Sequence, residues 1–320
     1  MEIVESNLKK KSKSKMREST LKEAKKNWQL YLLLLIPVTY ILVFAYYPML
    51  GAQIAFKNFN ITKGIWGSPW VGFKHFERFI QSYQFVSVLK NTLGLSLYGL
   101  IAGFPFSILL ALALNYVGHK NYKRIVQTVS YAPHFISTVV MVGMLMEFLN
   151  PRNGLIKNFL AIFGINFTSN VMGVPGAFSS IYVWSGVWQG IGFGSIIYLA
   201  VLSGIDPSLH EAAIVDGASK KQRLWFIDLP SLMPTAIILL IMNLGNILNV
   251  GFEKALLMQN PMNISTSEII DTYVYKVGLT SSLPDFAYST AIGLFKSFIA
   301  FILIVLVNKI AKKLGETSLW

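Results

Sequence analysis

Two apolar stretches of this sequence carry side chains suited to binding a polyhydroxylated molecule. In the first, Trp184 and Trp188 are four residues apart, so on a helix they share one face, and Gln189 stands beside them. Aromatic faces stack on sugar rings, and amides bond hydroxyls at fixed positions. Tryptophan in apolar helices also serves packing and the membrane interface. This face is therefore a candidate for substrate, with lipid or protein contact as the alternative.

The opposite side of the same stretch carries Gly186, Gly190 and Gly194, again at four-residue spacing. Small residues at this spacing let two helix backbones approach closely. We therefore expect the glycine side to pack against another helix.

The second stretch contains Asn243, Asn246 and Asn249. On a helix, three-residue steps would spread these side chains over about 120° while keeping them on one side. Hydrogen bonds between helices and contacts along a substrate path are both compatible with this pattern.

Ionisable residues inside the apolar stretches are few: Glu147 and Lys296. Two such residues are little for a proton- or sodium-coupled carrier. Lys296 would suit an acidic substrate such as a uronide. Pairing with Glu147, or extension of the lysine toward the interface, would explain it equally well.

Several kinds of chemistry lack their motifs in this chain. There is no cysteine, the four histidines are scattered, and no glycine-rich G-x-x-x-x-G-K-[S/T] phosphate loop occurs. No Ser/His/Asp set or HExxH motif is recognisable either. We expect a chain that is not catalytic, holds no metal and does not bind ATP through that loop.

Composition shows where these residues must be placed. Of the 320 residues 53% are hydrophobic and 13% are charged, whereas soluble domains have about 25% charged residues. We predict an all-α integral membrane protein with six transmembrane helices, because lipid offers backbone groups no partners. Pro133 near the start of the third run and the shortness of the fifth leave those two with the least defined bounds. The runs are 30–50, 91–116, 126–149, 181–203, 234–250 and 288–308.

Basic residues predict the orientation. The two tails and the loops 117–125 and 203–233 hold 18 Lys and Arg, and the other three loops hold 9. This excess predicts cytoplasmic N- and C-termini. Residues 1–29 form a basic tail suited to anionic lipid heads rather than nucleic acid, and 30–320 form the six-helix domain. The first run is expected to stay as an anchor rather than be cleaved.

The loop at 206–230 carries the clearest local signals. Asp206 is a predicted N-cap with Pro207 at the first helical position, and Gly217 permits the turn that ends the helix. A second short helix is expected at about 219–226, ended by Pro230. From periodicity alone, an amphipathic loop lying on the lipid surface remains open.

The spacing in this loop resembles the EAA signature of permease subunits of bacterial ABC importers. The matching positions are Glu211, Ala212, Ala213, Gly217, Ile227, Leu229 and Pro230, with Asp216 beside the glycine. The resemblance implies a type I importer permease core. It also implies that this loop is a coupling helix, which fits a cleft on a separate ATPase subunit.

Looser similarity across nearly the whole chain is to the carbohydrate branch, the LplB-type relatives of maltose permeases. The segments that carry it are Ile54-Ala55-Phe56-Lys57, Gly67-Ser68-Pro69-Trp70-Val71-Gly72-Phe73, Pro133-His134-Phe135-Ile136-Ser137, Ile205-Asp206, Thr272-Tyr273-Val274-Tyr275-Lys276 and Ser318-Leu319-Trp320.

This resemblance implies a set of partners in the bacterial cell membrane. They are a second permease subunit of different sequence, a nucleotide-binding ATPase dimer that holds ATP and Mg, an extracytoplasmic solute-binding protein and the lipid bilayer. The expected function is import of an oligosaccharide. The alternatives are an ABC permease for a non-sugar solute and an ion-coupled secondary carrier.

Overall fold

The structure, a computed structural model, describes residues 26–166 and 169–313. Within these ranges regular structure is helical, and strand-like pairing is confined to one bridge between Lys57 and Trp70. Most of the basic tail 1–29 and the segment 318–320 lie outside the described residues. In chain order the helices of six or more residues are α1 (Trp28–Phe56), α2 (Lys74–Ile80), α3 (Tyr83–Asn115), α4 (Lys120–Phe135), α5 (Thr138–Phe148), α6 (Leu155–Ile162), α7 (Pro175–Ser203), α8 (Pro207–Val215), α9 (Lys220–Gly245), α10 (Phe252–Met258), α11 (Ile270–Tyr275) and α12 (Phe286–Lys313).

Six crossings of a membrane are available in the described residues. Helices α1, α3, α7, α9 and α12 are each long and apolar enough to cross, and the α4–α5 pair supplies a sixth if it counts as one crossing. This agrees with the prediction of an all-α membrane protein. The bounds of two crossings differ from those predicted.

The third run, predicted as one helix over 126–149, is broken. Helices α4 and α5 meet at an angle of 101°. Pro133 has no N–H to continue the helix, and Ile136 and Ser137 are extended. The Ser137 hydroxyl then accepts a hydrogen bond from the Val140 N–H and caps the new helix. The proline therefore divides the predicted helix into two instead of only shifting its first residue.

The fifth run, predicted over 234–250, is also different. Helix α9 begins at Lys220 in the loop and ends at Gly245. Pro230 does not stop it, because the turn before the proline, Leu224–Asp228, is widened to a π-helix. Such a turn accommodates the missing N–H and the bulk of the ring. The predicted short helix at 219–226 is thus the first part of a membrane helix.

Helix α7 lies at the centre of the chain and packs along α3. It also contacts α4 closely at Gly192, where a Cβ atom would clash with the Ser130 carbonyl oxygen. Only glycine allows this approach. The two apolar clusters around α7 centre on Met141, Phe178 and Met258, and on Leu112, Tyr198 and Leu232.

Helix α1 contributes little to this core. No residue of its first part, Trp28–Met49, is buried. Its last part, Leu50–Phe56, where Ala55 is buried, packs against α12.

Residues between α9 and α12 were expected to be a loop, but they fold into short helices. Asn263 is fully buried and donates to the carbonyl oxygens of Met172 and Met258, at 2.9 and 3.0 Å. These bonds hold α10 against the segment that precedes α7. The position of α10 matters because it carries a lysine into the cavity described next.

Candidate substrate cavity and coupling loop

A cavity of about 680 Å³ lies between α3, α7, the end of α9 and the start of α10. Its volume is within the usual range of small-molecule sites, about 300–1,000 Å³. Its polar lining includes Tyr182, Gln189, Asn243, Asn246, Asn249 and Lys254. The described lining contains amides, hydroxyls and one ammonium but no carboxylate.

The three asparagines all reach this cavity, although not as points on one helix. Asn243 lies in the last turn of α9, Asn246 caps that helix, and Asn249 follows in the turn. The amides of Asn243 and Asn246 donate to the carbonyl oxygens of Leu239 and Met242, at 2.8 and 3.2 Å. The Asn249 amide donates to the Asn246 side-chain oxygen at 3.4 Å. An amide oxygen has two lone pairs, so the oxygens of Asn243 and Asn246 can also accept from a hydroxyl group.

The glycine side of α7 forms one wall of the cavity. Gly186, Gly190 and Gly194 all line it. A Cβ at Gly194 would lie 2.8 Å from the Ser107 hydroxyl of α3, so this glycine also serves packing. A Cβ at Gly190 would meet nothing within 4 Å. The expectation that this side is for packing was therefore only partly correct, because it faces open space as well.

The two tryptophans do not line this cavity. The Trp184 Nε1–H donates to the Tyr98 hydroxyl at 2.8 Å, and both indoles are about half exposed. They border a separate space of about 340 Å³ formed largely by apolar side chains such as Met141 and Leu145. Gln189, in contrast, lines the main cavity and donates to the Ile136 carbonyl. The tryptophans and Gln189 therefore line different spaces.

Lys296 also lies elsewhere. Its ammonium donates to both carboxylate oxygens of Asp271, at 2.6 and 2.8 Å. The partner is thus Asp271 on α11 and not Glu147, because α11 packs against α12. With α11 unrecognised in the sequence, this partner could not be proposed.

Tyr182 and Lys254 are among the polar residues of the cavity that the sequence analysis did not single out. Lys254 is 9% exposed, and its ammonium donates to the Tyr182 carbonyl at 2.6 Å. It also lies 4.5 Å from the centroid of the Tyr182 ring. The available signal was its place just after the asparagines, in a segment assigned to a loop.

The candidate coupling loop, residues 206–230, has the capped first helix and the glycine turn that its sequence predicts, whereas its second helix continues past Pro230. The Ser208 N–H donates to the Asp206 carboxylate at 2.9 Å, which holds the pKa of that carboxyl below its ordinary value. Gly217 has φ of +79°, and the N–H groups of Gly217 and Ala218 bond the carbonyls of Ile214 and Ala213. This is the Schellman ending, in which glycine is favoured.

The start of α9 is capped as well. The Gln222 N–H donates to the Ser219 hydroxyl, and the Gln222 amide oxygen accepts from the Ser219 N–H at 2.7 Å. This reciprocal pair is a capping box. The bend between α8 and α9 is therefore fixed at both ends by hydrogen bonds within the loop.

One face of this loop is exposed and partly apolar. Val215 is 87% exposed and Phe226 is 79% exposed, and Trp225 is also exposed. Glu211, Ala212, Asp216 and Gly217 are exposed, Ala213, Ile227 and Leu229 are half-buried, and Pro230 is exposed.

A buried carboxylate joins the loop to the helices. Asp228 is fully buried, accepts a hydrogen bond from the Tyr116 hydroxyl at 2.6 Å, and lies 3.3 Å from His210 Nε2 on α8. Burial, followed by the bond to Asp228, raises the pKa of Tyr116 to about 12, so this hydroxyl remains a donor at neutral pH. Asp228 on α9 thereby connects that helix to α8 and to the C-terminal end of α3.

Membrane-crossing helices around a polar cavity are the arrangement expected of a transport permease. The chain belongs to the family of binding-protein-dependent transport system inner membrane components, whose sequence model matches residues 85–316. It is a multi-pass membrane protein and a non-catalytic permease subunit with the type I importer fold.

The chain is similar to two permeases of Bacillus subtilis (strain 168). It is 42% identical over 299 residues to protein LplB, covering 92% of each chain. It is 42% identical over 294 residues to the polygalacturonan/rhamnogalacturonan transport system permease protein YteP, covering 91% of this chain and 90% of YteP. It also matches a chain in the crystal structure of a bacterial ABC transporter that imports the acidic polysaccharide alginate. That match has a TM-score of 0.84 and 40% identity, and it covers 91% of this chain and 98% of the other.

Proposed function

We propose that this chain carries an acidic oligosaccharide across the membrane as one of two permease subunits of an ATP-driven, binding-protein-dependent importer. The observation that carries the proposal is the 680 Å³ cavity, which is lined by asparagine and glutamine amides inside a chain of this family. Amides at fixed positions suit sugar hydroxyls. The names of YteP and of the alginate importer support an acidic carbohydrate.

The coupling loop is proposed to dock on a separate nucleotide-binding subunit, where ATP and Mg are held. The spacing from Glu211 to Pro230, the hydrogen-bonded caps and the exposed Val215 and Phe226 support this role. A rigid apolar surface around a carboxylate is suited to insertion into a protein cleft. Coupling is assigned to Glu211, Ala212, Ala213, Asp216, Gly217, Ile227, Leu229 and Pro230.

The assigned orientation places both termini and this loop in the cytoplasm. The excess of basic residues in the tails and in loops 117–125 and 203–233 supports it. The bond from Tyr116 to Asp228 gives further support, because it keeps the 117–125 loop beside the coupling loop.

The assigned substrate path comprises Gln189, Asn243, Asn246 and Asn249. The path excludes Trp184 and Trp188, which line the separate apolar space, and Lys296, which is paired with Asp271.

The test is uptake by the complete importer, with its partner permease, ATPase and binding protein, in proteoliposomes. The panel holds a trigalacturonate, a neutral trisaccharide and a non-sugar anion, glycerol 3-phosphate. We expect trigalacturonate uptake that needs ATP inside and the binding protein outside. Uptake of glycerol 3-phosphate alone would favour a non-sugar permease. Uptake driven by an ion gradient without ATP would favour a secondary carrier.

A further inference from the structure

Lys254 stands out among the buried polar residues because its surroundings do not balance its charge. Its ammonium has three N–H groups. In the described residues its contacts are one carbonyl oxygen and one aromatic ring, both of Tyr182. Lys276 and Lys296, in contrast, form ion pairs with Glu268 and Asp271. Burying a charge is costly unless it is paired.

The cavity itself has one sign of charge. Lys254 is the single charged residue of its described lining. A positive group in a confined space without acidic neighbours favours an anion.

The helix beside this ammonium, α7, leaves space next to it. A Cβ at Gly186 would lie 3.2 Å from Nζ, which is closer than ordinary contact. Glycine at this position therefore leaves room beside the ammonium on the cavity side. The amides of Gln189 and the three asparagines share the same space.

We propose that the ammonium of Lys254 binds a carboxylate of the transported sugar and makes the cavity selective for uronic acid residues. This inference rests on the proposed function, since it names the residue that recognises the charge of that substrate. One N–H of the Lys254 ammonium donates to the Tyr182 carbonyl, and a second can form a charge-assisted hydrogen bond to the carboxylate of the sugar. The amides then remain for the hydroxyls of the same ring.

The chain offers a matched control in Lys57. This lysine is also buried, donates to a backbone carbonyl, that of Ile65, at 2.7 Å, and lies 4.8 Å from the centroid of the Trp70 ring. It does not line the cavity. Lys57→Gln therefore removes a similarly placed buried charge without changing the proposed site.

The experiment compares Lys254→Gln, Lys254→Arg and Lys57→Gln in the complete importer in proteoliposomes. Each variant is assayed with trigalacturonate and with its methyl ester, which has the same hydroxyls but no charge. For Lys254→Gln we expect trigalacturonate uptake at low concentration to fall about tenfold or more, with the ester little changed. Lys254→Arg should retain most of the uptake of the acid, and Lys57→Gln should leave the ratio of the two sugars at the wild-type value.

Three results would overturn the assignment. Equal losses for acid and ester in Lys254→Gln would mean that the lysine only shapes the cavity, and unchanged uptake would mean that it has no role. A shifted ratio in Lys57→Gln would mean that the effect is not specific to the site. Failure of the proposed function is distinguishable, because the wild-type importer would then take up neither sugar with ATP.

Discussion

The coupling loop and the cavity are built in opposite ways. The caps and the turn of the loop are formed by contacts between residues two to five positions apart, such as Asp206 with Ser208 and Ser219 with Gln222. The cavity is assembled from five helices, and its polar groups come from positions as far apart as Ser96 and Lys254. Linear spacing therefore predicts the loop well and the cavity poorly.

One element belongs to both regions. Helix α9 starts at the capping box of the loop and ends at Asn246, its cap beside the cavity. If the ATPase subunit moves the loop, the movement would therefore be transmitted to the asparagines through a single helix. The following predictions separate the two regions, from the largest expected effect to the smallest.

Replacing Glu211 should have the largest effect, because it acts on all substrates. In the proposed complex, the carboxylate is removed from water and needs a donor on the ATPase. Glu211→Ala should lower transport by a hundredfold or so, within the range for truncating one partner of a buried charge pair at an interface. Insertion and trigalacturonate half-saturation should be unchanged. The loss of coupling is measured as substrate-stimulated ATPase activity of the complete importer in proteoliposomes.

Glu147→Ala is the control for this variant, because that carboxylate is exposed and outside the loop. Stimulated ATPase activity at the wild-type level in Glu211→Ala would remove the coupling role.

Replacing Asn243 should change affinity rather than coupling. Asn243→Leu leaves a sugar hydroxyl without its partner, a loss of about 1–3 kcal/mol, or roughly five- to 150-fold in half-saturation. Complex yield should change less, because hydrogen bonds within membranes average about 0.6 kcal/mol. The measurement is uptake against concentration beside the yield of purified complex.

Asn91→Leu provides the contrast. The Asn91 amide bonds the carbonyls of Ser265 and Glu268, away from the cavity. This variant should lower yield and keep normal half-saturation. If Asn243→Leu behaves in the same way, Asn243 is a packing residue.

Replacing Gly217 should give a smaller loss that is confined to coupling. No atom lies within 4 Å of a Cβ at this position, so the cost comes from the positive φ alone. A left-handed conformation costs an ordinary residue about 1–2 kcal/mol, and a β-branched one more. We expect Gly217→Val to reduce stimulated ATPase activity about tenfold, whereas Gly217→Asn, which tolerates positive φ, should retain more of it. Equal activity in both variants would show that the turn is not required.

The smallest effect is expected for Trp188. Its indole lies outside the cavity, in the apolar space beside α5. Trp188→Leu should leave trigalacturonate half-saturation unchanged and lower complex yield slightly. A clear rise in half-saturation would restore the tryptophan face as part of the path.

The physical reasons for success and failure of the sequence analysis differ by residue. Asp206 and Gly217 were predictable because capping depends on near neighbours and backbone conformation. The break at Pro133 was only noted as an uncertain bound, since a proline in a membrane run can kink or end a helix. The pairing of Lys296 with Asp271 was not predictable, because it depends on a short helix that periodicity did not reveal.

The two faces of α7 illustrate the same limit. Periodicity correctly separated the tryptophan side from the glycine side, but it does not report what lies opposite each. Glycines that allow close packing in one turn, at Gly194, border open space in another, at Gly190. Whether a glycine packs or borders open space depends on how closely α3 and α9 approach α7. That distance is set by the packing of all the helices together.

The isolation of α1 has a consequence for biogenesis. Its backbone groups bond within the helix, and Trp28–Met49 has no residue buried by the rest of the chain. The helix can therefore leave the translocation channel and settle in lipid before any later helix is synthesised. The packing of α3 along α7 does not involve this helix.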